Sequence, residues 1–258
     1  TLTALQMICD PNHQAQQDNK REQNKKSVEN SILQVTGAKV RPVVASSGLS
    51  MQFAIIMGLI HDAQINHPGK KMSIIVPPNC YGGTNDQARR VAACIESVKV
   101  IDLPVDGGQD MVQSIDKVLN TLSKEDIIPF IIAEIPTNPR VEVPDLVALS
   151  TVLSKERKTE TGKIAVDPVF ILDQTFCPNV HFLRDQDSLA GIRTLSYVSG
   201  SKFPSGGKCT AGYCVANDKA ADLMEKIELH LQLCDNEATE LQYSFLAQQM
   251  PSMNERIA

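Results

Sequence analysis

A chain of 258 residues that is 42% hydrophobic can bury a substantial core, as one large domain or two small ones. Its net charge of -5 and lack of a basic stripe with interleaved aromatics argue against a nucleic-acid surface. The densest basic stretch, DNKREQNKK from Asp18 to Lys26, mixes charges and reads as a solvated segment. The longest apolar run, Phe53 to Ile60, is too short to cross a bilayer and ends at His61, so no membrane role is expected. The opening TLTALQMICD lacks the basic flank and apolar region of a signal peptide, which by default gives a cytoplasmic address. Seven cysteines, at 9, 80, 94, 177, 209, 214 and 234, form no CxxC pair and read as small buried hydrophobes in a reducing compartment. Five histidines form no HExxH and lie near no cysteine cluster, so no metal site is expected. No initiator Met is present and the chain ends at MPSMNERIA, which fits either a fragment or an incompletely represented chain.

In chain order, Val40 to Ala45 reads as a short strand and Leu49 to Asp62 as a helix apolar over much of its surface. Met72 to Val76 is a buried strand, followed by a helix from about Asn85 to Ser97 and a strand from Val98 to Leu103. A helix from about Gln109 to Leu122 leads to the strongest strand signal, Ile127 to Glu134. Pro144 is placed to open the next helix, where its missing N–H costs nothing. The mixed-charge KERKTETGK, Lys155 to Lys163, reads as a surface helix end and loop. Val169 to Asp173 is a strand ending in a carboxylate, and Thr194 to Val198 and Gly212 to Ala216 are further short strands. Asp218 then caps a helix running to about Leu233. Continuously apolar strands separated by helices indicate an α/β fold, a mostly parallel sheet with helices on both faces. Right-handed crossovers gather the strand C-terminal ends on one edge, where ligands bind in open sheets.

The unusual polar residues fall at that edge, in five segments. Ser46-Ser47-Gly48-Leu49 is a strand-to-helix turn whose N–H groups suit a phosphate, although small residues there usually only cap. Tyr81-Gly82-Gly83-Thr84 follows a strand, and its glycines allow a tight turn beside a planar partner or simply a surface turn. Glu134-Ile135-Pro136-Thr137-Asn138-Pro139 runs a strand into a rigid loop, which needs Asn138 to face a ligand to be more than a stop. Asp173, followed by Gln174, Thr175 and Phe176, puts a carboxylate at the mouth of an apolar strand, where it must be paired, capping or functional. Ser199-Gly200-Ser201-Lys202, then Phe203 and Pro204-Ser205-Gly206-Gly207, holds a lysine in a Gly-rich turn. A lone lysine is ordinarily a surface charge, whereas a desolvated, deprotonated amine attacks carbonyls.

Together the segments SSGL, YGGT, E-x-P-T-N-P, D-x-T-F and S-x-[ST]-K, in that order from about Val28 to Ala216, resemble the Cys/Met-metabolism family of pyridoxal-phosphate (PLP) enzymes. That family contains cystathionine γ-synthase, the cystathionine lyases and methionine γ-lyase. The resemblance implies the large domain of a fold type I, aminotransferase-like PLP transferase, with the C-terminal small domain largely absent. Residues 1–27 would be an N-terminal extension, 28–233 the PLP-binding large domain, and 234–258 the start of a small domain or a linker. Lys202 would form the internal aldimine with pyridoxal 5'-phosphate and shuttle the proton at the substrate α-carbon. Asp173 would pair with the pyridine nitrogen and keep it protonated. Tyr81 would stack on the ring and take part in proton transfer. Gly48 and Leu49 N–H groups, with the Ser199 and Ser201 hydroxyls, would hold the phosphate, and Asn138 would bond the phenolic oxygen. Thr175 and Glu134 would sit in support. The implied reaction is β/γ-elimination or γ-replacement on a cystathionine-, methionine- or activated-homoserine-type amino acid, by a lyase or transferase of trans-sulfuration working as a homodimer or homotetramer.

The sequence departs from the family at Gln174, usually Asn; at Phe203, usually Tyr; and at Gly207, usually His. Upstream, DPNHQAQQDNKREQNKK stands where the family carries a Tyr-x-Arg phosphate clamp for the neighbouring subunit. That substitution and the altered pattern around Lys202 admit a second reading, a PLP-binding protein with reduced or lost catalysis and a structural or regulatory role. A nucleotide-binding α/β domain is weaker, because no GxGxxG follows a strand and no GxxxxGK[ST] occurs.

Overall fold

The computed structural model describes residues 14–105 and 110–258. The N-terminal decapeptide, Cys9, and the expected helix start at Gln109 lie outside them.

Helix α1 (Gln14–Thr36) leads into the edge strand β1 (Val43–Ala45) and then helix α2 (Gly48–Asn66). There follow β2 (Met72–Val76), α3 (Gly82–Cys94), β3 (Val98–Asp102), α4 (Met111–Lys124), β4 (Ile128–Glu134) and α5 (Leu146–Ser154). The sheet is completed by β5 (Val169–Asp173), β6 (Arg193–Ser199) and β7 (Gly212–Ala216). A 3-10 turn, Asp218–Leu223, runs into α6 (Met224–Leu233), and the chain closes with α7 (Glu240–Gln249) and α8 (Met253–Ile257).

The seven strands lie in the order β1-β7-β6-β5-β4-β2-β3. Strands β3, β2, β4, β5 and β6 are mutually parallel, and β7 is antiparallel to both neighbours. The sheet is thus mostly parallel, as expected, with one reversal. No helix separates β6 from β7; the Lys202 loop joins them, and a short connection between adjacent strands favours the antiparallel pairing.

Alternation along the strands feeds a core on each face. Ile74, Ile132 and Ile171 pack with α2, α3 and α6, while Ile75, Ile131, Phe170 and Leu172 pack with α4 and α5. Both faces are buried, which is why the strands read as unbroken apolar runs. A third cluster joins Val28 and Ile32 of α1 to Val44, Tyr213, Leu246 and Met250. Helices α2 and α6 approach closely at Gly58, where a Cβ would stand 2.9 Å from Ile227 Cγ1 and 3.1 Å from its Cα.

Several sequence expectations are corrected. Helix α3 begins at Gly82 rather than Asn85, directly behind Tyr81. Pro144 does not open α5: Asp145 is the N-cap, accepting from the Val147 and Ala148 N–H groups, so the side-chain cap outweighs the proline signal. The helix expected from Asp218 is a 3-10 turn followed by α6, with Asn217 as the N-cap. Cysteines are less uniformly buried than expected: Cys80 and Cys214 are buried, Cys177 and Cys209 half-buried, and Cys94 and Cys234 exposed. Among the described residues, no helix is long and apolar enough to cross a membrane, and no cluster of three His, Cys, Asp or Glu residues could hold a metal.

Candidate active site

A cavity of about 340 Å³ opens at the C-terminal edge of the parallel strands. Its walls include Gly48, Leu49, Tyr81, Asn138, Asp173, Thr175, Ser199, Ser201 and Lys202, every residue singled out in the sequence as catalytic or cofactor-binding, and also Glu134. Segments up to 154 positions apart in the chain, from Gly48 to Lys202, meet there because the strand ends share one edge.

One wall is the start of α2. Ser47, the N-cap, accepts from the Ser50 N–H through its side chain, and the Met51 N–H bonds the Ser47 carbonyl. The first helical N–H groups, of Gly48 and Leu49, have no intrahelical carbonyl to meet, and such groups attract anions. Opposite them the Ser199 and Ser201 hydroxyls lie 2.9 Å apart. Close backbone approach assembles this corner. A Cβ on Gly48 would stand 3.0 Å from Ser199 Cβ, and one on Gly212 would stand 2.5 Å from the Ser47 carbonyl oxygen. Anion donors from two parts of the chain, the start of α2 and the turn at the end of β6, thereby converge.

The buried end of the cavity is acidic. Glu134, Asp173 and Tyr197 lie side by side, in register, at the ends of β4, β5 and β6. Burial pushes the Asp173 carboxyl above the usual carboxylate range, opposed by hydrogen bonds from Thr175 and the Tyr197 hydroxyl. The Thr175 N–H donates to Asp173 Oδ1 at 2.9 Å, and the Thr175 hydroxyl accepts from the Ser199 N–H at 3.0 Å. Glu134 Oε1 accepts from the Tyr81 N–H at 2.7 Å. Burial, with Asp173 alongside, raises the Glu134 carboxyl to about 7, and the N–H groups of Tyr81 and Asn138 hold it back.

Tyr81 is the N-cap of α3 and is 55% exposed, so its ring faces the cavity mouth and not the core. Gly83 leaves room for it: a Cβ there would stand 2.6 Å from Tyr81 Cε1 and 3.0 Å from Leu49 Cδ2. The Asn138 carbonyl accepts from Asn79 Nδ2 at 3.2 Å, fixing the loop after β4.

Gln174, the departure from the family's Asn, is 1% exposed. Its Nε2 donates to the Val180 carbonyl at 2.9 Å and the Cys177 carbonyl at 3.2 Å, and its Oε1 accepts from the Ser196 hydroxyl at 2.6 Å. The longer side chain ties the loop after β5 to β6, behind the cavity. Burial pushes the Cys80 and Cys177 thiols up to about 12 and about 11, so neither supplies a thiolate at neutral pH.

Thr84 of the YGGT segment also lines the cavity, as do Gln52 and Tyr197, which lie outside the five segments. A glutamine at 1% exposure inside an apolar helix and a tyrosine inside a core strand were the available signals. Among the described residues, two buried acceptors in this wall, Gln52 Oε1 and Glu134 Oε2, have no hydrogen-bond partner.

No curated protein sequence matches the chain. A cystathionine γ-lyase from Micromonospora echinospora superposes with a TM-score of 0.64 at 22% identity, covering 90% of this chain and 52% of the other. For the metB protein of Corynebacterium glutamicum the values are 0.64, 20%, 90% and 51%, and for yeast cystathionine γ-lyase 0.65, 17%, 90% and 51%. The chain therefore spans about half the length of these structures, and the shared fold is that of PLP fold type I enzymes. The family model described as Cys/Met metabolism PLP-dependent enzyme matches residues 7–234, extending beyond both ends of the stretch carrying the five segments. The chain belongs to the Cys/Met metabolism PLP-dependent enzyme family.

Proposed function

We propose that this chain carries the PLP site of an enzyme of sulfur amino-acid metabolism, catalysing β/γ-elimination or γ-replacement on a cystathionine-, methionine- or activated-homoserine-type substrate. The observation that carries the reading is one cavity lined by anion-binding N–H and hydroxyl groups, a lysine, a tyrosine and a buried carboxylate. The residues fit the cofactor of the family. Gly48, Leu49, Ser199 and Ser201 supply donors for a phosphate, and the unpartnered acceptors Glu134 Oε2 and Gln52 Oε1 call for donors inside the cavity. A buried carboxylate without a cationic partner is costly, and a protonated ring nitrogen facing Asp173 relieves that cost.

When bound, PLP supplies an electron sink for the carbanion formed at the substrate α-carbon. The chain's own groups do the rest. The Lys202 amine holds the cofactor's aldehyde carbon and carries the proton at the α-carbon. Asp173 keeps a proton on the ring nitrogen, and Tyr81 covers the ring and moves a proton at the cavity mouth. Asn138 donates its amide to the phenolic oxygen, with Thr175 and Glu134 fixing Asp173 and the Tyr81 turn.

We place the PLP-binding large domain at residues 28–233, after an extension of residues 1–27, with residues 234–258 leading toward a small domain. The enzyme works as a homo-oligomer on a small amino acid in the cytoplasm.

Titration of the chain with PLP should give a yellow chromophore that borohydride fixes on a peptide containing Lys202. Lys202→Ala should abolish the chromophore, the fixed adduct and all cystathionine turnover. A chromophore that survives this substitution would remove the central assignment.

A further inference from the structure

Tyr197 is a tyrosine in the middle of the sheet, 3% exposed, on a strand whose other buried residues are apolar or small. Packing alone asks only for its ring, which sits among the apolar side chains between the sheet and α2. A buried phenol hydroxyl adds a polar group that must be satisfied. The Thr84 hydroxyl lies 3.4 Å away, and the Asp173 carboxylate, its in-register neighbour on β5, lines the same cavity beside it. In-register residues on adjacent parallel strands present their side chains to the same face, so the phenol and the carboxylate meet inside the cavity wall.

Asp173 is thus gripped from two sides. The Thr175 N–H donates from the loop that follows, and the Tyr197 phenol stands beside the carboxylate in register on the neighbouring strand. Glu134 flanks it on β4 with one oxygen unpartnered. Thr84 extends the chain of bonds to the ring-covering turn, since its N–H bonds the Tyr81 carbonyl at 2.9 Å. Gln52 Nε2 braces the Thr84 carbonyl at 3.4 Å.

We propose that Tyr197 is a positioning residue, whose buried hydroxyl holds the Asp173 carboxylate in the orientation and charge state that meets the ring nitrogen of the cofactor. This rests on the PLP reading given above. The hydroxyl stabilises the carboxylate anion, so the proton shared by carboxylate and ring nitrogen stays on the nitrogen. Without the hydroxyl, Asp173 is the stronger base and draws that proton toward itself.

The test begins without cofactor. Carboxyl carbon resonances of the full chain are followed through a pH titration, in wild type, Tyr197→Phe and Thr84→Val. The groups facing Asp173 are Glu134 from β4, Tyr197 from β6, and Cys80 and Cys177 from the flanking loops, with Lys202 across the same cavity. In Tyr197→Phe the Asp173 midpoint should move up while the Glu134 midpoint moves less. Thr84→Val, which removes the group polarising the phenol, should give a smaller shift of the same sign. An Asp173 midpoint unchanged in both variants overturns the proposal, and Thr84→Val carries this arm if Tyr197→Phe fails to fold. In the second arm, PLP labelled at the ring nitrogen is bound to each protein. The nitrogen resonance in Tyr197→Phe should move toward that of neutral pyridine, and an unmoved resonance overturns the positioning role. A wild-type chain that takes up no PLP refutes the functional reading and the ring-facing role with it. The first arm still reports whether the phenol and carboxylate are bonded.

Discussion

At the scale of the residue, the chemistry of the site is set by burial. Glu134 is the clearest case, with its carboxyl raised from 4.5 to about 7. A carboxyl raised in the folded state contributes stability that is full below its unfolded value and lost as pH climbs through the folded one. Without PLP, Glu134→Gln keeps an acceptor for the Tyr81 N–H but cannot ionise. Its melting temperature relative to wild type should therefore rise between pH 4.5 and about 7, then level off. A difference independent of pH in a thermal melt series would show that Glu134 is not the group titrating. Gly83 gives a second test. A methyl there collides with the Tyr81 ring while adding helix propensity of about 1 kcal/mol. Gly83→Ala should lower PLP affinity severalfold in an absorbance titration with no loss of melting temperature. The site residues named from the sequence all reach the cavity because each sits at a strand end or helix start, positions that apolar periodicity makes legible. Tyr197 and Gln52 escaped because each interrupts an apolar segment, and one-dimensional patterning reads such residues as core.

Among the elements, the central parallel strands β2, β4 and β5 were legible because burial on both faces writes a continuous apolar run. Helix starts were less so. The start at Asp145 is decided by side-chain hydrogen bonds that outweigh the neighbouring proline, whereas the turn after Asn217 starts as a 3-10 helix with no side-chain cap. The reversal at β7 was not legible either, because strand direction depends on which neighbour a segment pairs with. Gln174 shows how an element can absorb a change of residue. Its extra methylene reaches the Cys177 and Val180 carbonyls, which a shorter amide from that position cannot reach together. Gln174→Asn, although it restores the residue usual in the family, should destabilise the chain by about 1–3 kcal/mol in chemical denaturation, the cost of buried groups left unpaired. Equal or greater stability would mean that the loop re-forms around asparagine.

For the whole molecule, the C-terminal helices brace the site from outside. Gln242 of α7 donates to the Ser46 carbonyl at 2.8 Å and the Thr210 carbonyl at 2.7 Å, clamping the turn that opens α2 to the segment before β7. Arg256 of α8 donates to the Phe203 carbonyl at 2.6 Å, next to Lys202. Helix α7 is itself seated on α1 through Leu246 and Met250 against Val28 and Ile32. Gln242→Ala should weaken PLP binding severalfold and cost about 1 kcal/mol in stability, read by absorbance titration and thermal melting. Binding that stays at the wild-type level would show that the turn is rigid without the clamp.

The amino-acid sequence by itself determined the alternation of buried strands and helices, the family, and the side chains that chemistry requires. These are written locally, as apolar periodicity, turn residues and short ordered motifs. Only the tertiary structure decided which carboxylate lies beside which hydroxyl, that β7 runs backwards, and that residues near the C-terminus grip loops some 32 to 196 positions away. Those outcomes depend on strand order, register and helix docking, and no window along the chain contains both partners of such a contact.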